Sequence, residues 1–318
     1  MIARECRGKG QLELIIITGP TAVGKTAVAV ELAKRLGTEI ISADSMQVYK
    51  HLSIGTGKPT IEELQGVPYH LIDHVNPDYQ YNLGDFIAEA TSLIHHLHEQ
   101  EKLPIVCGGT CLYVKGLLYG IFDAASRDNN LRKELSTRCA SEGLASLYSE
   151  LQRVDPAASQ RISPNDRQRI IRALEVFYVT GRPISEWQQQ FSGHPRYRAA
   201  LFILNLPREV LYDRINKRVD VMIKRGLLDE IKQYVSAGFS LENPVFRALG
   251  YQEMLEHIRG NLSLEEAVEA MKKKTRHFAK RQLTWFRSMT DAEWIDALDK
   301  SPHAIVEEIL TCLKKFST

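Results

Sequence analysis

The stretch that decides the fold reads Gly19-Pro20-Thr21-Ala22-Val23-Gly24-Lys25-Thr26. It matches the pattern G-x-x-x-x-G-K-[ST] at every required position. Before it, the run Leu12–Thr18 is apolar and rich in β-branched residues, which predicts a buried parallel strand. After it, apolar residues recur at helical spacing up to Leu36 and stop before Gly37, which predicts a helix. The stretch is therefore a phosphate loop between a strand and a helix.

A loop in this position is an anion site. Its backbone N–H groups and the positive end of the helix dipole point at a bound phosphate. Lys25 adds a positive charge, and the hydroxyl of Thr26 is a suitable ligand for Mg²⁺. The motif predicts a phosphorylated ligand and leaves open whether that ligand is a nucleotide.

Strand and helix signals alternate along the chain, which is typical of an α/β protein with a parallel sheet. Helices are predicted to begin at the cap Asn82, with Asp85 as capping-box acid, and at the cap Ser263, with Glu266 in that role. The predicted strands after the first are Glu39–Ala43, Tyr69–Asp73, Pro104–Cys107 and Ala199–Leu206. We expect a P-loop NTPase-like parallel sheet flanked by helices.

Between the last two strands the alternation stops. From about residue 127 to residue 197 only helical patterns occur, and prolines separate them. A helical block between two strands of one sheet predicts an inserted all-helical subdomain. We therefore divide the chain into a catalytic core, 12–126 and 198–318, and an insertion, 127–197. The residues after the last strand predict helices to the end of the chain.

Composition places the chain among ordinary globular proteins. It has 318 residues, of which 44% are hydrophobic and 25% charged, and a net charge of +2. No apolar run approaches the roughly 20 residues of a membrane span, and the first residues lack the apolar core of a secretory signal. The five cysteines include no C-x-x-C pair, which favours reduced thiols over a zinc site. We expect a cytoplasmic protein that acts as a monomer and does not enter a membrane.

Two segments are strongly basic. Lys272–Arg287 contains seven lysine or arginine residues and no acid, and Arg161–Arg172 contains four arginines and one acid. Basic segments suit a nucleic-acid backbone, especially where aromatic residues are interleaved, but a solvated helix face has the same pattern. Charge alone leaves both interpretations open.

Three polar features follow predicted strands, namely the phosphate loop, Asp44 and Thr110. In an open parallel sheet, ligands bind beyond the carboxyl ends of the strands, so we expect these features to meet in one cleft. Asp44 could instead cap the next turn, and Gly108-Gly109 could be a tight turn rather than a close approach to a substrate. An ordinary NTPase usually has an acid after a later apolar strand to help hold Mg²⁺, and the strand Pro104–Cys107 ends in Gly-Gly-Thr instead, although Asp73 could serve.

Seven stretches, taken together and in this order, resemble one family. They are GPTAVGKT at Gly19–Thr26, DSMQVYK at Asp44–Lys50, GTGKP at Gly55–Pro59, GGTCLY at Gly108–Tyr113, NDRQRIIRALEV at Asn165–Val176, RALGYQE at Arg247–Glu253 and KRQLTWFR at Lys280–Arg287. Over most of its length the chain resembles the tRNA dimethylallyltransferases, also called tRNA isopentenyltransferases. Cys111 departs from the glycine or methionine expected in that family, and with no Cys/His-rich tail we expect the bacterial type.

The resemblance implies a reaction. A dimethylallyl group moves from dimethylallyl diphosphate to the exocyclic amine of the adenosine directly 3′ of a tRNA anticodon, and diphosphate leaves. The phosphate loop, Gly19 to Thr26, would hold the diphosphate, with Mg²⁺ on Thr26. Asp44 would be the general base, Thr110 would orient the same site by hydrogen bonding, and Arg218 would lie near the transfer site.

The resemblance also implies a tRNA interface. The target base lies in a stacked loop, so it must be flipped out to be reached. The positions that match tRNA contacts in the family are Asp44, Ser45, Met46, Gln47, Thr110, Arg132, Gln168, Arg169, Ile170, Ile171 and Arg172. The insertion, 127–197, would therefore grip the anticodon stem-loop.

Three other functions are compatible with a phosphate loop. A small-molecule kinase would hold ATP there, an adenylate isopentenyltransferase would prenylate free AMP or ADP, and a nucleotide switch would bind without catalysis. The long helical insertion and the basic segment near the C-terminus favour a polynucleotide acceptor over these alternatives.

Overall fold

The computed structural model describes residues 12–120, 128–190, 194–240 and 243–315. The contacts within the chain define two compact units. Unit 1 consists of Met1–Leu118 and Pro195–Thr318, and unit 2 is Tyr119–His194. The helical block of the sequence therefore corresponds to a unit with its own internal packing.

The boundaries of unit 2 differ from those of the predicted insertion, 127–197. Residues 195–197 belong to unit 1, where the backbone N–H of Arg196 donates to the carbonyl of Leu118 at 2.6 Å. The hydroxyl of Tyr197 donates to that of Thr91 at 3.3 Å. Residues 121–127, which include the predicted first boundary, lie outside the described residues.

Unit 1 is built on a sheet of six parallel strands. The strands are β1 Leu14–Thr18, β2 Ile40–Ser42, β3 Tyr69–His70, β4 Ile105–Cys107, β5 Ala199–Asn205 and β6 Glu293–Asp296. Their order across the sheet is β3-β2-β4-β1-β5-β6. All five residues of β1 are buried, because strands inside a parallel sheet are covered on both faces. The predicted α/β class with a parallel sheet is confirmed.

The last strand corrects the prediction that only helices follow β5. β6 pairs with β5 in parallel register, from Phe202 opposite Glu293 to Asn205 opposite Asp296. It is an edge strand of four residues, and only Ile295 is buried. A strand with one buried side chain shows no hydrophobic alternation, so its sequence does not reveal it.

β3 is shorter than the predicted strand Tyr69–Asp73. Leu71 and Asp73 have φ values of 59° and 53°, which lie outside the extended region of the backbone. The pairing with β2 therefore ends at His70.

Among the described residues, nine α-helices lie in unit 1 or at its boundary. They are α1 Lys25–Leu36, α2 Ile61–Leu64, α3 Leu83–Glu99, α4 Cys111–Tyr119, α10 Arg208–Lys224, α11 Leu227–Ser236, α12 Tyr251–Ile258, α13 Leu264–Phe286 and α14 Pro302–Lys314. The predicted capping boxes of Asn82 with Asp85 and Ser263 with Glu266 are both confirmed. In the part of the chain that the structure describes, every helix is too short or too polar to cross a membrane.

Unit 2 contains helices and no strand among its described residues, as its sequence predicted. The helices are α5 Asn129–Glu142, α6 Leu144–Val154, α7 Pro156–Ser159, α8 Arg167–Thr180 and α9 Ile184–Gln190. Their apolar faces meet in one core that includes Leu135, Leu147, Leu151, Ile170 and Leu174. α8 begins after the cap Asp166 and ends at Gly181, which has the left-handed φ of 69°.

Candidate active site

The loops that follow β1, β2 and β4 meet at the carboxyl edge of the sheet, because these strands are neighbours. The backbone N–H of Ser45 donates to the hydroxyl of Thr110 at 3.0 Å, and the N–H of Thr110 donates to the carbonyl of Ala43 at 3.2 Å. The hydroxyl of Thr18, which ends β1, donates to the carbonyl of Gly108 at 2.7 Å. We call this group of residues the catalytic edge, defined as 19–26, 44–47 and 108–110.

The phosphate loop adopts a backbone that requires its two motif glycines. Gly19 has a φ of 145°, and Gly24, directly before α1, has a φ of 103°. A Cβ at Gly19 would also lie 2.5 Å from the carbonyl oxygen of Leu204. The side chain of Lys25 turns back over the loop and donates to the carbonyls of Gly19 and Pro20, at 3.0 and 2.8 Å. The Lys25 ammonium therefore lies directly beside the loop backbone.

The electrostatics of Lys25 link the phosphate loop to Asp44 and to Arg218. Burial lowers the pKa of Lys25 to about 8, from the ordinary value of 10.5, because a site with little water disfavours the charged ammonium. The acidic groups of Cys107 and Asp44 oppose this decrease, and the positive charge of Arg218 adds to it. Lys25, Asp44 and Arg218 are thus close enough to influence one another.

Asp44 caps the turn that follows β2. Its Oδ1 accepts hydrogen bonds from the backbone N–H groups of Met46, at 2.9 Å, and Gln47, at 3.3 Å. The cap interpretation of Asp44 is therefore correct for this oxygen. Capping does not exclude the base role, because a carboxylate has a second oxygen that can take a proton.

The hydroxyl of Thr26 lies in the first turn of α1 and is half-buried. Asp73, the other candidate ligand for Mg²⁺, is ion-paired with the buried Lys58 at 2.5 Å. Within the described ranges there is no group of three or more histidine, cysteine, aspartate or glutamate side chains that could hold a metal. The hydroxyl that follows the lysine of a phosphate loop fits an ion whose other ligands come from water and from substrate phosphates.

Arg218 lies on α10 and meets the loop that contains the GTGKP stretch. Its Nη2 donates to the carbonyl of Gly57 at 3.4 Å, and the side-chain amide of Gln47 donates to the same carbonyl at 3.2 Å. One turn earlier, Arg214 donates to the carbonyl of Val23 in the phosphate loop at 3.5 Å. Burial lowers the pKa of Arg218, and the negative charge of Asp44 opposes that effect. The predicted catalytic residues of unit 1 therefore share one neighbourhood.

Gln282 is a site residue that the sequence analysis missed. It lies on α13 and is 4% exposed. Its amide oxygen accepts from the backbone N–H of Thr21 at 2.9 Å, and its amide nitrogen donates to the carbonyl of Gly109 at 2.7 Å. A Cβ at Gly109 would lie 2.7 Å from that nitrogen, and one at Gly108 would lie 2.2 Å from the carbonyl oxygen of Ala43. These glycines therefore allow close packing within the protein.

Unit 2 brings two of the predicted tRNA-contact residues together. Arg132 on α5 donates to Oε1 of Glu175 at 2.8 Å, and Arg172 on α8 donates to Oε2 of the same carboxylate at 2.8 Å. Glu175 is completely buried, and its partners lower its pKa against the opposing effect of that burial. The backbone N–H of Asp128 donates to it as well, at 3.0 Å. The guanidinium side chains remain about 30% exposed.

The other predicted contacts on α8 divide between surface and core. Gln168 and Arg169 are exposed, and Arg169 lies 3.4 Å from the carboxylate of Asp166. Ile170 and Ile171 are buried in the core of unit 2, at 0% and 9% exposure. The prediction that these two isoleucines contact tRNA therefore needs correction for their side chains, which pack within the protein.

The basic segment Lys272–Arg287 forms the second half of α13. An open groove of about 630 Å³ lies along it and is lined by His277, Lys280, Arg281, Thr284, Trp285 and Ser288. The groove combines cationic side chains with an indole ring, a combination that suits a nucleic-acid strand.

Comparison with known families identifies two matching models. The model described as IPP transferase matches residues 47–289, and the model described as isopentenyl transferase matches residues 12–76. Together these matches cover residues 12–289, which include the whole catalytic edge and all of unit 2.

Comparison with individual proteins gives the same result. A tRNA dimethylallyltransferase of Syntrophobacter fumaroxidans is 49% identical over 306 residues, which are 96% of this chain and 89% of that protein. A solved tRNA isopentenylpyrophosphate transferase of Bacillus halodurans is 41% identical with a TM-score of 0.72, over 96% of both chains. A eukaryotic dimethylallyltransferase acting on tRNA is 33% identical with a TM-score of 0.79, over 90% of this chain and 74% of that one.

Proposed function

This chain belongs to the tRNA dimethylallyltransferase family, and we propose that its catalytic edge modifies the adenosine directly 3′ of a tRNA anticodon. The chain is an enzyme, a prenyltransferase that moves a dimethylallyl group from dimethylallyl diphosphate to tRNA. The observation that carries the proposal is the meeting of Lys25, Asp44 and Thr110 at one edge of the sheet.

In the transfer step, the exocyclic nitrogen of adenine bonds to the first carbon of the dimethylallyl group as the bond from that carbon to diphosphate breaks. The nitrogen is a weak nucleophile because its lone pair is delocalised into the ring. Removal of its proton as the bond forms would therefore speed the reaction, and Asp44 would accept that proton. The Thr110 hydroxyl accepts a hydrogen bond from the backbone N–H of Ser45, the residue after Asp44. Thr110 would thereby orient the segment that carries Asp44.

The departing diphosphate gains negative charge and needs cations directed at it. Lys25 and the backbone N–H groups of the phosphate loop would supply part of this stabilisation. Arg218 would supply more from the neighbouring loop contact at Gly57. Mg²⁺, held at the hydroxyl of Thr26, would neutralise diphosphate charge when it is bound.

The tRNA is held, in this proposal, by unit 2 and by the turn 44–47. Exposed Gln168 and Arg169, together with the guanidinium pair Arg132 and Arg172, give unit 2 a cationic surface that suits the phosphates of an anticodon stem-loop. The target base must leave its stack to reach Asp44. We also propose that the enzyme acts as a monomer in the cytoplasm.

The test is incubation of the enzyme with labelled dimethylallyl diphosphate, Mg²⁺ and unmodified tRNA, with free AMP as a control acceptor. We expect label in tRNA, at the adenosine 3′ of the anticodon, and none in AMP. Label in AMP alone would instead indicate an adenylate isopentenyltransferase, and ATP consumption without RNA would indicate a kinase.

A further inference from the structure

Glu230 lies on α11, outside every stretch that carries the family resemblance. It is 9% exposed, and its carboxylate accepts four hydrogen bonds. The backbone N–H groups of Ser53, Ile54 and Gly55 donate to it at 2.6, 2.7 and 3.0 Å. The hydroxyl of Tyr251 donates to it at 2.9 Å. One buried acid therefore holds three successive residues that precede it by 175 to 177 positions.

The loop held in this way, residues 53–58, also contacts Arg218. Its Gly57 carbonyl accepts from the Arg218 guanidinium at 3.4 Å and from the Gln47 amide at 3.2 Å. Gly57 has a φ of 62°, and a Cβ there would lie 1.8 Å from Nη2 of Arg218. A Cβ at Gly55 would lie 2.4 Å from the ring of Tyr251. The loop is closely packed against both side chains.

The loop can transmit a restraint from Glu230 to the Gly57 carbonyl. Hydrogen bonds to a charged acceptor are stronger than those between neutral groups, so three N–H groups on one carboxylate fix the first half of the loop. Within the loop, the N–H of Gly57 donates to the carbonyl of Ile54 at 3.0 Å, and that of Lys58 donates to the carbonyl of Ser53 at 3.0 Å. These bonds tie the second half of the loop to the first.

We infer that Glu230, acting through the loop 53–58, is a positioning residue that sets the location of the Arg218 guanidinium during transfer. The inference rests on the proposed role of Arg218 at the transfer site. Glu230 itself would not touch the substrate. Its effect is to hold the acceptor on which Arg218 docks, so that the guanidinium is in place before diphosphate begins to leave.

A double-mutant cycle tests the inference. Single-turnover transfer is measured on tRNA and dimethylallyl diphosphate at saturation for wild type, Glu230→Gln, Arg218→Gln and the double variant. Glu230→Gln replaces one carboxylate oxygen with an NH₂ group, which cannot accept hydrogen bonds from the backbone N–H groups of the loop. We therefore expect the rate of transfer to fall by roughly 10- to 100-fold. If Glu230 acts through Arg218, the double variant is no slower than Arg218→Gln alone. A loss of general stability would instead lower the rate further in the double variant.

Two further variants keep the test decisive if Glu230→Gln folds poorly. Tyr251→Phe removes one of the four bonds to Glu230 and keeps the ring, so we expect a smaller loss of rate that also disappears in the Arg218→Gln background. Glu39→Gln is the matched control, because Glu39 precedes β2, accepts bonds from His70 and Lys102 and lies in the same unit. We expect Glu39→Gln to transfer at the wild-type rate.

The outcomes separate the inference from the proposed function. A wild-type rate for Glu230→Gln, or losses that multiply in the double variant, would overturn the positioning role. A wild-type enzyme that fails to label tRNA would overturn the proposed function itself, whatever the variants do.

Discussion

Each unit contains a pair of cations with a proposed role, and the two pairs have different partners. In unit 1, Lys25 and Arg218 donate to backbone carbonyl oxygens. In unit 2, Arg132 and Arg172 donate to the buried carboxylate of Glu175. Among the described residues, neither cation of unit 1 forms an ion pair with a carboxylate, whereas both of those in unit 2 do.

The difference fits the two kinds of work proposed for these units. A carbonyl dipole orients a cation without cancelling its charge, so the pair in unit 1 keeps its charge for the departing diphosphate. Two guanidinium groups on one carboxylate carry a net charge of +1 and are fixed in direction, which suits recognition of shape more than stabilisation of a transition state. Burial without an ion pair also makes unit 1 sensitive to pH, since it lowers the pKa of Lys25.

The largest effect is expected for a substitution of Asp44, the acid close to Lys25 and Arg218 in unit 1. Asp44→Asn keeps the shape and the acceptor for Met46 and Gln47 but cannot take a proton at neutral pH. We expect single-turnover transfer to fall by roughly 10²- to 10⁴-fold, with thermal stability nearly unchanged. A near-wild-type rate on fully bound tRNA and donor would leave Asp44 as a cap of its turn and remove the base role.

A smaller effect is expected from pH, which should change the charge of Lys25 in unit 1 but not the charges of the arginines in unit 2. Lys25 carries its charge below a pKa of about 8 and loses it as pH rises through that value. We therefore expect kcat/KM for dimethylallyl diphosphate to fall above pH 8, approaching tenfold per pH unit, because kcat/KM reports groups of the free enzyme. The affinity for tRNA at Arg132 and Arg172 should stay level between pH 7 and 9, since arginine remains charged. A flat kcat/KM profile up to pH 10 would contradict the assigned Lys25 environment.

The smallest effect is expected for unit 2, where the exposed Arg169 is compared with Arg172, which pairs with the buried Glu175. Arg169→Ala should weaken tRNA binding by roughly three- to tenfold at low salt and less at high salt, because counterion release contributes to the affinity. Its melting temperature should not change, since the Arg169 side chain is 72% exposed. Arg172→Ala should weaken binding as well and also lower the melting temperature, because Glu175 loses a partner. Binding is measured at several salt concentrations, and stability by thermal melts. Unchanged affinity at low salt in a variant that combines Arg169→Ala and Arg172→Ala would exclude this surface.

The parts of the molecule that local sequence determines were predictable. The pattern Gly19–Thr26 and its apolar flank give the strand, the loop and the start of α1. The approach of Thr110 to Ser45 follows from the rule that ligand sites lie beyond the carboxyl ends of parallel strands. Each of these features is encoded within a few consecutive residues or by a general rule of topology.

The contacts that join distant segments were not predictable. Gln282 meets Thr21 across 261 positions, and Glu230 meets the loop 53–58 across about 175. A single buried polar residue has no periodic pattern, so nothing in its neighbourhood marks its partner. Ile170 and Ile171 are a different case, because they lie four and three positions before Leu174, a spacing typical of one helix face, and only the family match assigned them to tRNA.

The junction between the units has a consequence for chain entropy. Arg196 and Leu118 are hydrogen-bonded to each other inside unit 1. For the chain entropy of unit 1, residues 119–194 therefore count as one closed loop of 76 residues. The entropy of closing a loop grows only with the logarithm of its length, and replacing 76 flexible residues by about six would change the free energy of closure by only about 2 kcal/mol. An insert that folds by itself brings its own ends into a fixed relation and costs less still. The sheet can therefore keep its register while the inserted unit changes in length and sequence.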